Sequence, residues 1–274
     1  MQVLGTKAKA MRTSQIGPLW RIASARMPTR WGMFDAIGYE RDVSNGARRV
    51  ETALAIVMGD LTEAVPLLRI HSQCFTGEML GSLRCDCHDQ LEMAMQAIAE
   101  EGRGLVIYEY QEGRGIVLMA KLEAYELQDA GLDTVEANHA LGFKADYRDF
   151  SLPAAILRDL GVKRVRLLSN NPRKASALSQ NGIELVVRRS CEAAPNPHSF
   201  AYLRTKKERM GHALSLGTAS TPARQEICTR CDLVGWRTTC PACAATVTTE
   251  TSSSLSVRHR GPHSEIHLID AGGR

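Results

Sequence analysis

The amino-acid sequence predicts an α/β fold for most of the chain, followed by a small cysteine-rich module. Three segments, at 104–111, 164–171 and 184–189, are rich in apolar and β-branched residues, as buried strands are. Each adjoins a segment with helical periodicity, and such alternation of strand and helix defines the α/β class. With 274 residues, 44% of them hydrophobic, the chain can bury one large core and carry a second, small unit.

Three helices are predicted from periodicity and from the glycines that end them. The segment "DQLEMAMQAIAEEG" ends at Gly102, and glycine is a good helix terminator because it accepts a left-handed backbone. One face of this helix carries four apolar residues: Leu91, Ala94, Met95 and Ile98. The segments 115–131 and 151–161 have the same character, and each also ends in glycine.

Charge and composition exclude some partners without identifying one. The 34 basic and 30 acidic residues give a net charge of +4, which suits an anionic ligand but does not indicate a nucleic-acid binder. No run of about 18 apolar residues occurs, so we predict no membrane span.

The first 34 residues contain six Lys or Arg and no acid, a bias shared by basic arms and organelle transit peptides. We interpret them as a basic arm and expect a cytoplasmic protein.

A domain boundary is predicted near residue 214, where the composition changes to the small polar residues of "SLGTASTPARQE". Two C-x-x-C pairs follow, separated by eight residues: Cys228, Cys231, Cys240 and Cys243. Four thiolates close a tetrahedral shell, which is typical of a structural zinc ion in a zinc-ribbon-like module. A redox-active or unligated tail is the alternative. The partner of this module, protein or nucleic acid, is not indicated by the sequence.

Three other cysteines, Cys74, Cys85 and Cys87, form a C-x10-C-x-C pattern with no obvious fourth ligand nearby. Three protein ligands leave one position open to water, as in a catalytic zinc site. His88 could close the shell, although adjacent residues rarely reach one metal ion together. Three buried structural thiols are a weaker alternative, since Arg84 and Asp86 are hard to bury.

Several motifs together resemble the GTP cyclohydrolase II family, whose enzymes open GTP at the start of riboflavin synthesis. They are "RIHSQCFTGEMLGSLRCDCHDQL", "YQEGRGIVLMAKLEAYELQDAGLDTVEANHALGFKADYRDF", "LLSNNPRKASAL" and "YLRTKKERMGH". The resemblance implies a mixed sheet flanked by helices, a homodimer, and hydrolysis of GTP at C8 and at the α-phosphate. Formate, pyrophosphate and a diaminopyrimidine ribosyl phosphate would be the products. The predicted organisation is an N-terminal arm at 1–22, a catalytic domain at 23–214, a linker at 215–225 and the ribbon-like module with its tail at 226–274.

The resemblance also implies site residues. The catalytic zinc ligands are the three cysteines of the first cluster, and the GTP-binding residues are Arg69, Ile70, His71, Ser72, Gln73, Gln90, Glu112, Gly113, Arg114, Thr134 and Ser169. "SNNPRK" predicts a strand, a turn and a helix start, and makes Lys174 available to phosphate oxygens. Gln90 and Thr134 could instead be helix caps. The triphosphate would bring Mg²⁺, held mostly by phosphate oxygens and water.

Catalytic roles are implied for Asp146, Arg148 and Tyr125. The family resemblance implies that Arg148 attacks the α-phosphate while Asp146 accepts its proton. A guanidinium has almost no neutral population, so an electrostatic clamp on the phosphoryl group is the simpler role, and covalency stays open. Tyr125 would assist the second hydrolysis, although a lone tyrosine on an amphipathic helix is usually packing.

Four positions depart from the family pattern: Gln73, His88, Val117 and Ser169. Gln73 is the most consequential, because it removes a carboxylate near the predicted metal site. Besides the family reaction, two alternatives therefore stay open. One is a related GTP hydrolase that releases a formylated pyrimidine, and the other is a non-catalytic nucleotide-binding regulator.

The two cysteine sets predict two zinc ions per chain. Cys240→Ser should remove the distal ion alone, because its three remaining thiolates no longer close the shell. Elemental analysis of the purified full-length protein and the variant provides the measurement. A single zinc in the full-length protein, with none lost on truncation after residue 220, would contradict the distal site.

Overall fold

The computed structural model describes residues 17–43, 50–216, 226–228 and 247–249. The chain divides into two compact units, Met1–Ala219 and Ser220–Arg274. The first unit contains a seven-stranded sheet in the order β1-β2-β3-β5-β4-β6-β7. Its strands are β1 (Leu19–Thr29), β2 (Gly32–Asp42), β3 (Val50–Met58), β4 (Leu67–Ser72), β5 (Gly104–Glu109), β6 (Arg164–Leu168) and β7 (Glu184–Arg189).

The sheet is mixed, as predicted. β1, β2, β3 and β5 pair antiparallel, whereas β5, β4, β6 and β7 pair parallel. The helices are α1 (Phe75–Glu78), α2 (Cys87–Glu101), α3 (Val117–Asp129), α4 (Thr134–Ala140), α5 (Ser151–Asp159), α6 (Pro172–Gln180) and α7 (Phe200–Met210). In the described residues, no helix combines the length and apolar character that crossing a membrane requires.

The predicted strands and helices of the parallel half are confirmed. The three predicted strand segments contain β5, β6 and β7, and the α2 helix buries Ala94, Met95 and Ile98 before it ends at Gly102 with φ 66°. The antiparallel strands at 19–58 were not predicted. β1 begins at Leu19, so the last four residues of the predicted N-terminal arm belong to the sheet.

In the second unit, β8 (Glu226–Cys228) and β9 (Val247–Thr249) form an antiparallel pair. Cys228 is opposite Val247 in this pair. The other three cysteines of the predicted distal zinc site lie outside the described residues, as do the first sixteen residues of the predicted arm.

Helices cover both faces of the parallel strands. On one face, Leu105 and Ile107 pack with residues of α5 and α6, and on the other, Val106 packs with residues of α2. The parallel strands β4, β5 and β6 all end at the same edge of the sheet. In open α/β sheets, ligands bind outside this carboxyl edge. The polar side chains described below follow these strand ends.

One acidic side chain, Glu109 at the end of β5, is fully buried beside this edge. Gln111 Nε2 donates to its Oε1 at 2.8 Å, while Oε2 has no hydrogen-bond partner among the described residues. Burial raises the pKa of Glu109 to about 8, and the nearby cations Lys174 and Arg148 oppose this only in part. The carboxyl group is therefore mostly protonated at neutral pH.

Glu109→Gln should make the protein less sensitive to alkaline pH. The folded carboxyl keeps its proton up to a pKa of about 8, whereas the unfolded one loses it near 4.5, so the free energy of unfolding falls as pH rises through this window. Glutamine mimics the neutral acid and does not titrate, so the free energy of unfolding of the variant should not show this fall with pH. From pH 6 to pH 9 the variant should gain on the order of 2 kcal/mol relative to the wild type in urea unfolding. The exposed Glu123→Gln is the control, and identical pH profiles for Glu109→Gln and wild type would contradict the assignment.

Candidate active site

Three thiol groups meet where α1 and α2 begin. Cys74 immediately precedes α1, Cys87 begins α2, and Cys85 lies two residues earlier. The three Sγ atoms lie within 4.8 Å of one another. Gly77 borders them, and a Cβ atom at this position would be 3.0 Å from Cys85 Sγ and 3.2 Å from Cys74 Sγ. The absence of a side chain at Gly77 thus leaves the space that the thiol cluster uses.

The donor set fits a zinc ion. The neighbouring thiols, together with the Lys121 ammonium 3.2 Å from Cys74 Sγ, hold the pKa of Cys74 well below its ordinary value. The same crowding, led by Cys74, raises the pKa of Cys85 to about 11 and raises that of Cys87 well above its ordinary value. Three thiolates at this spacing repel one another unless a cation binds all three. Zinc is a suitable cation because thiolates are among its preferred ligands.

A buried network holds the cysteine segment in place. Glu78 Oε1 accepts a hydrogen bond from the Cys74 backbone N–H at 2.8 Å and lies 2.9 Å from His71 Nε2, while Tyr108 donates to Glu78 Oε2 at 2.6 Å. Burial lowers the pKa of His71 to about 4, so its imidazole is neutral at physiological pH. Glu112 adds a second anchor, since its Oε2 accepts from the Phe75 backbone N–H at 2.6 Å.

His88 is not part of the thiol cluster in the described structure. Its side chain is about half exposed, and Nε2 lies 3.1 Å from Glu92 on the next turn of α2. The alternative in which His88 supplies a fourth ligand is therefore not supported.

Two cavities adjoin the cluster, with volumes of about 640 and 610 Å³. The first contains the thiols and the side chains of Gln73, Tyr125 and Thr134. The second is lined by cationic and polar groups, among them Arg69 and Lys174. Five residues line both cavities and so form a shared wall: Ser72, Cys87, Arg114, Arg148 and Tyr202.

Arg114 in the shared wall is held in a strained turn at Glu112–Gly115. Its backbone has φ 63°, in the left-handed region, and the preceding Gly113 has φ 60°. The guanidinium is buried, and neither of its terminal nitrogens has a hydrogen-bond partner among the described residues. Buried donors without partners are costly, and strain of this kind is concentrated at functional sites. Two donors at the junction of the cavities are therefore free for a ligand.

Arg148, also in the shared wall, is paired with Asp146. Its Nε and Nη2 donate to the two carboxylate oxygens at 3.0 and 2.8 Å, and Nη1 donates to Ser72 Oγ at 3.3 Å. Burial lowers the pKa of Arg148, but the Asp146 carboxylate outweighs burial and holds it above its ordinary value. Burial likewise raises the pKa of Asp146, but Arg148 and then Arg173 outweigh it and hold it low. Both groups stay charged at neutral pH.

Other predicted binding residues line the second cavity. Arg69 donates to the Leu168 carbonyl at 3.1 Å and to Gln90 Oε1 at 2.5 Å, and its Nε is unpartnered among the described residues. Lys174 donates to the Ile70 carbonyl at 2.8 Å. Ser169 and His71 lie here as well. The Ile70 side chain, in contrast, is fully buried in the core, and only its carbonyl reaches this region.

The remaining predicted residues lie at the first cavity. Glu112 Oε1 accepts hydrogen bonds from Lys121 Nζ and from the Gly113 backbone N–H, each at 2.8 Å. The caps of α4 and α2 are Asp133 and Asp86, so neither Thr134 nor Gln90 is a helix cap. Asn171 is the cap of α6, which begins at Pro172 as predicted.

Tyr125 is half-buried on α3, with its hydroxyl 3.3 Å from Thr76 Oγ1. Burial raises its pKa to about 12, so the phenol keeps its proton. The Arg84 guanidinium lies 4.7 Å from the centre of its ring. Tyr125 thus presents a hydroxyl donor near the thiol cluster, on the wall of the first cavity.

Four charged or aromatic residues of the site were missed by sequence reasoning: Lys121, Glu78, Tyr202 and Lys206. Lys121 precedes Tyr125 by four residues on α3, so one helical face carries both, and Tyr202 and Lys206 have the same spacing on α7. This spacing was a readable signal. The sequence contains no such signal for Glu78, because its role depends on a contact with Tyr108 of β5, which is distant in the chain.

The fold and the paired cavities define an α/β protein in which a cysteine cluster suited to a metal ion lies beside a cavity lined by cationic and polar groups. The family profile described as GTP cyclohydrolase II matches residues 20–190. Among its relatives, the GTP cyclohydrolase-2 of Enterobacter sp. (strain 638) is 52% identical over 198 residues, 72% of this chain and 98% of that protein. That of Escherichia coli O9:H4 (strain HS) is 51% identical with the same coverage. The chain belongs to the GTP cyclohydrolase II family, which confirms the resemblance of its motifs.

Among the solved structures that this chain resembles is that of RibBX, a two domain 3,4-dihydroxy-2-butanone 4-phosphate synthase from A. baumannii. It is 22% identical, with a TM-score of 0.37, over 67% of this chain and 43% of that chain. A likeness at this TM-score does not bear on the fold.

Gly77→Ala should weaken zinc binding at the first cluster while the fold is kept. The added methyl group would lie 3.0 to 3.2 Å from two Sγ atoms and push the thiols apart. In a Cys240→Ser background, zinc affinity should fall by about tenfold or more in a chelator competition. Gly38→Ala in β2 is the control, since a Cβ atom there meets nothing within 4 Å. Unchanged zinc affinity in Gly77→Ala would contradict the location of the metal site.

Proposed function

We propose that the chain hydrolyses GTP at C8 of the base and at the α-phosphate. The products would be 2,5-diamino-6-(5-phosphoribosylamino)pyrimidin-4-one, formate and pyrophosphate. The observation that carries the proposal is the pair of adjoining cavities, one with the thiols and one with cations, joined at a wall that contains two arginines. GTP has the same division into a base and a polyanion, with the α-phosphate between them.

The first cavity suits the purine base. Cys74, Cys85 and Cys87 would hold a zinc ion, whose Lewis acidity would activate water near neutral pH. Lys121 neutralises part of the thiolate charge, and it is itself held by Glu112 at 2.8 Å. The side chains of Tyr125 and Thr134 would border the base, and their hydroxyl groups can donate to the oxygen and nitrogen atoms of the opening ring.

The shared wall suits the α-phosphate. Arg148 is protonated, buried and oriented by two hydrogen bonds from its guanidinium to Asp146, so it is built to stabilise negative charge on a phosphoryl group. Arg114 adds two donors that have no hydrogen-bond partner among the described residues. In the hydrolysis, the α–β anhydride bond breaks, the oxygen of water bonds to the α-phosphorus, and pyrophosphate leaves with the electron pair. We favour this clamp over covalent attack by Arg148, because Asp146 holds the guanidinium in its charged form.

The second cavity suits the β- and γ-phosphates. Arg69, Lys174 and Ser169 line it, and Mg²⁺ would enter with the triphosphate, bound mostly by phosphate oxygens and water. The homodimer, the distal zinc ion and the cytoplasmic location stay predictions from the sequence.

A second candidate reaction ends at a formylated pyrimidine. Gln73, which stands beside Cys74, lines the first cavity and supplies no carboxylate there. A site that lacks this base could open the ring and release the nucleotide before the formyl group is hydrolysed. Product analysis separates the two reactions.

Incubation with GTP, Zn²⁺ and Mg²⁺ tests the proposal directly. Formate and pyrophosphate should appear in equal amounts, and mass spectrometry should show the deformylated pyrimidine. A formylated product would favour the second candidate. Binding of GTP without release of either product would contradict both reactions and favour a nucleotide-binding regulator.

Tyr125→Phe should separate the two hydrolytic steps. The variant keeps the zinc ligands and should open the ring, but it lacks the protonated hydroxyl that would direct water to the formyl carbon. Formate release should fall by about 10²-fold or more, with the formamide accumulating in the mass spectrum. Tyr147→Phe, a half-exposed tyrosine outside both cavities, is the control. Full deformylation by Tyr125→Phe would remove Tyr125 from the mechanism.

A further inference from the structure

The motif "YLRTKKERMGH" at 202–212 has no role in the function proposed above, although the structure brings it to the second cavity. Tyr202 and Lys206 lie one turn apart on α7, and His212 lies just beyond the end of that helix. All three side chains line the second cavity. This segment therefore forms part of the wall of the cavity that Arg69 and Ser169 also line.

The backbone fixes the position of His212. α7 ends at Gly211, whose φ of 66° turns the chain sharply, and the His212 backbone N–H donates to the Lys206 carbonyl at 3.1 Å. The next residue, Ala213, donates to the Asn170 carbonyl at 3.0 Å. The turn after α7 is thereby attached to the segment that follows β6, and His212 is held at the cavity.

Most charged side chains around His212 already have partners. Lys206 donates to Asp86 at 2.8 Å, Lys174 donates to the Ile70 carbonyl at 2.8 Å, and Arg148 is paired with Asp146. His212 differs from them. Its Nδ1 is buried without a hydrogen-bond partner, and no bond is made by its other ring nitrogen within the described part of the chain.

The electrostatic surroundings of His212 are those of an anion site. Burial lowers the pKa of its imidazole to about 3, and the cations Lys206, Arg148, Arg114 and Lys174 lower it further in that order. The four largest charge contributions to this shift all come from cationic side chains. The free imidazole is neutral at physiological pH, so one nitrogen carries an N–H donor while the surrounding charges attract an anion.

We propose that His212 is a further substrate-contacting residue, which donates a hydrogen bond from its imidazole to a phosphoryl oxygen of the bound triphosphate. The inference rests on the proposed function for the identity of the ligand. It adds a residue from the α7 segment to the groups that recognise the phosphates.

Calorimetry with inorganic tripolyphosphate tests the inference on the full-length, zinc-loaded protein. His212→Phe and His212→Ala remove the donor, and each should weaken tripolyphosphate binding by about tenfold, the size expected for a hydrogen bond to a charged group. His212→Asn, which keeps an N–H donor near the position of Nδ1, should stay within about threefold of the wild type. The exposed His198→Phe is the matched control and should bind tripolyphosphate as the wild type does.

The readouts separate this inference from the proposed function. Binding of guanosine, which has no phosphate, should be unchanged in every His212 variant, while the KM for GTP should rise in His212→Phe and His212→Ala. Wild-type affinity for tripolyphosphate in these two variants would overturn the inference, and so would an equal loss in His212→Asn. Thermal unfolding of each variant shows whether a loss reflects misfolding. Failure of the wild type to release formate or pyrophosphate from GTP would instead contradict the proposed function, and tripolyphosphate binding would still test His212.

Discussion

The crowding of three cysteine Sγ atoms within 4.8 Å of one another is the constraint on which the site depends, because they cannot all ionise unless a cation binds them. Such a cluster survives only if other groups hold the chain against it. Glu78 holds the backbone at Cys74, Glu112 holds the next residue, and Asp86, between the other two cysteines, is paired with Lys206 of α7 at 2.8 Å. Each anchor comes from a different element. The cysteine cluster thus depends on several parts of the first unit, because α1, α2, α7 and the turn before α3 must all be in place to form it.

The second cavity brings together side chains of the opposite charge. Its cationic groups also repel one another. Internal acids hold two of them, since Asp146 binds Arg148 and Asp86 binds Lys206. Lys174 differs, because burial holds the pKa of its amine well below the ordinary value, and this amine donates to the Ile70 carbonyl at 2.8 Å. The cations are therefore oriented before a ligand arrives, and little side-chain entropy is left to lose on binding. Glu109 lies among them as a mostly neutral acid, so it does not cancel the positive charge.

The sequence predicted the parallel half of the sheet because buried strands and amphipathic helices leave clear local patterns there. It did not predict the strands at 19–58. β1 is largely exposed and lacks the alternation of a half-buried strand, whereas buried positions do alternate along β2 and β3, so these two strands left a local pattern that was overlooked. The spacing of Cys74, Cys85 and Cys87 predicted the cysteine cluster. Glu78 and His212 were not predicted, because their positions depend on contacts between elements distant in the chain. Val117 shows a further limit: it adopts φ 66°, a conformation that its β-branched side chain disfavours and that sequence patterns do not predict.

The unpartnered nitrogens of Arg69 and Arg114 have a kinetic consequence. Positive charge that internal carboxylates do not neutralise produces a field that extends beyond the mouth of the cavity, and this field draws polyanions in from solution. Capture should therefore be faster than random collision allows, and dissolved ions should slow it, because they screen such fields over about 8 Å at physiological ionic strength. In the proposed reaction, pyrophosphate would experience the same attraction on its way out. The charges that would speed the arrival of a triphosphate would thus also delay the departure of its fragment, so turnover would reflect a compromise between entry and exit.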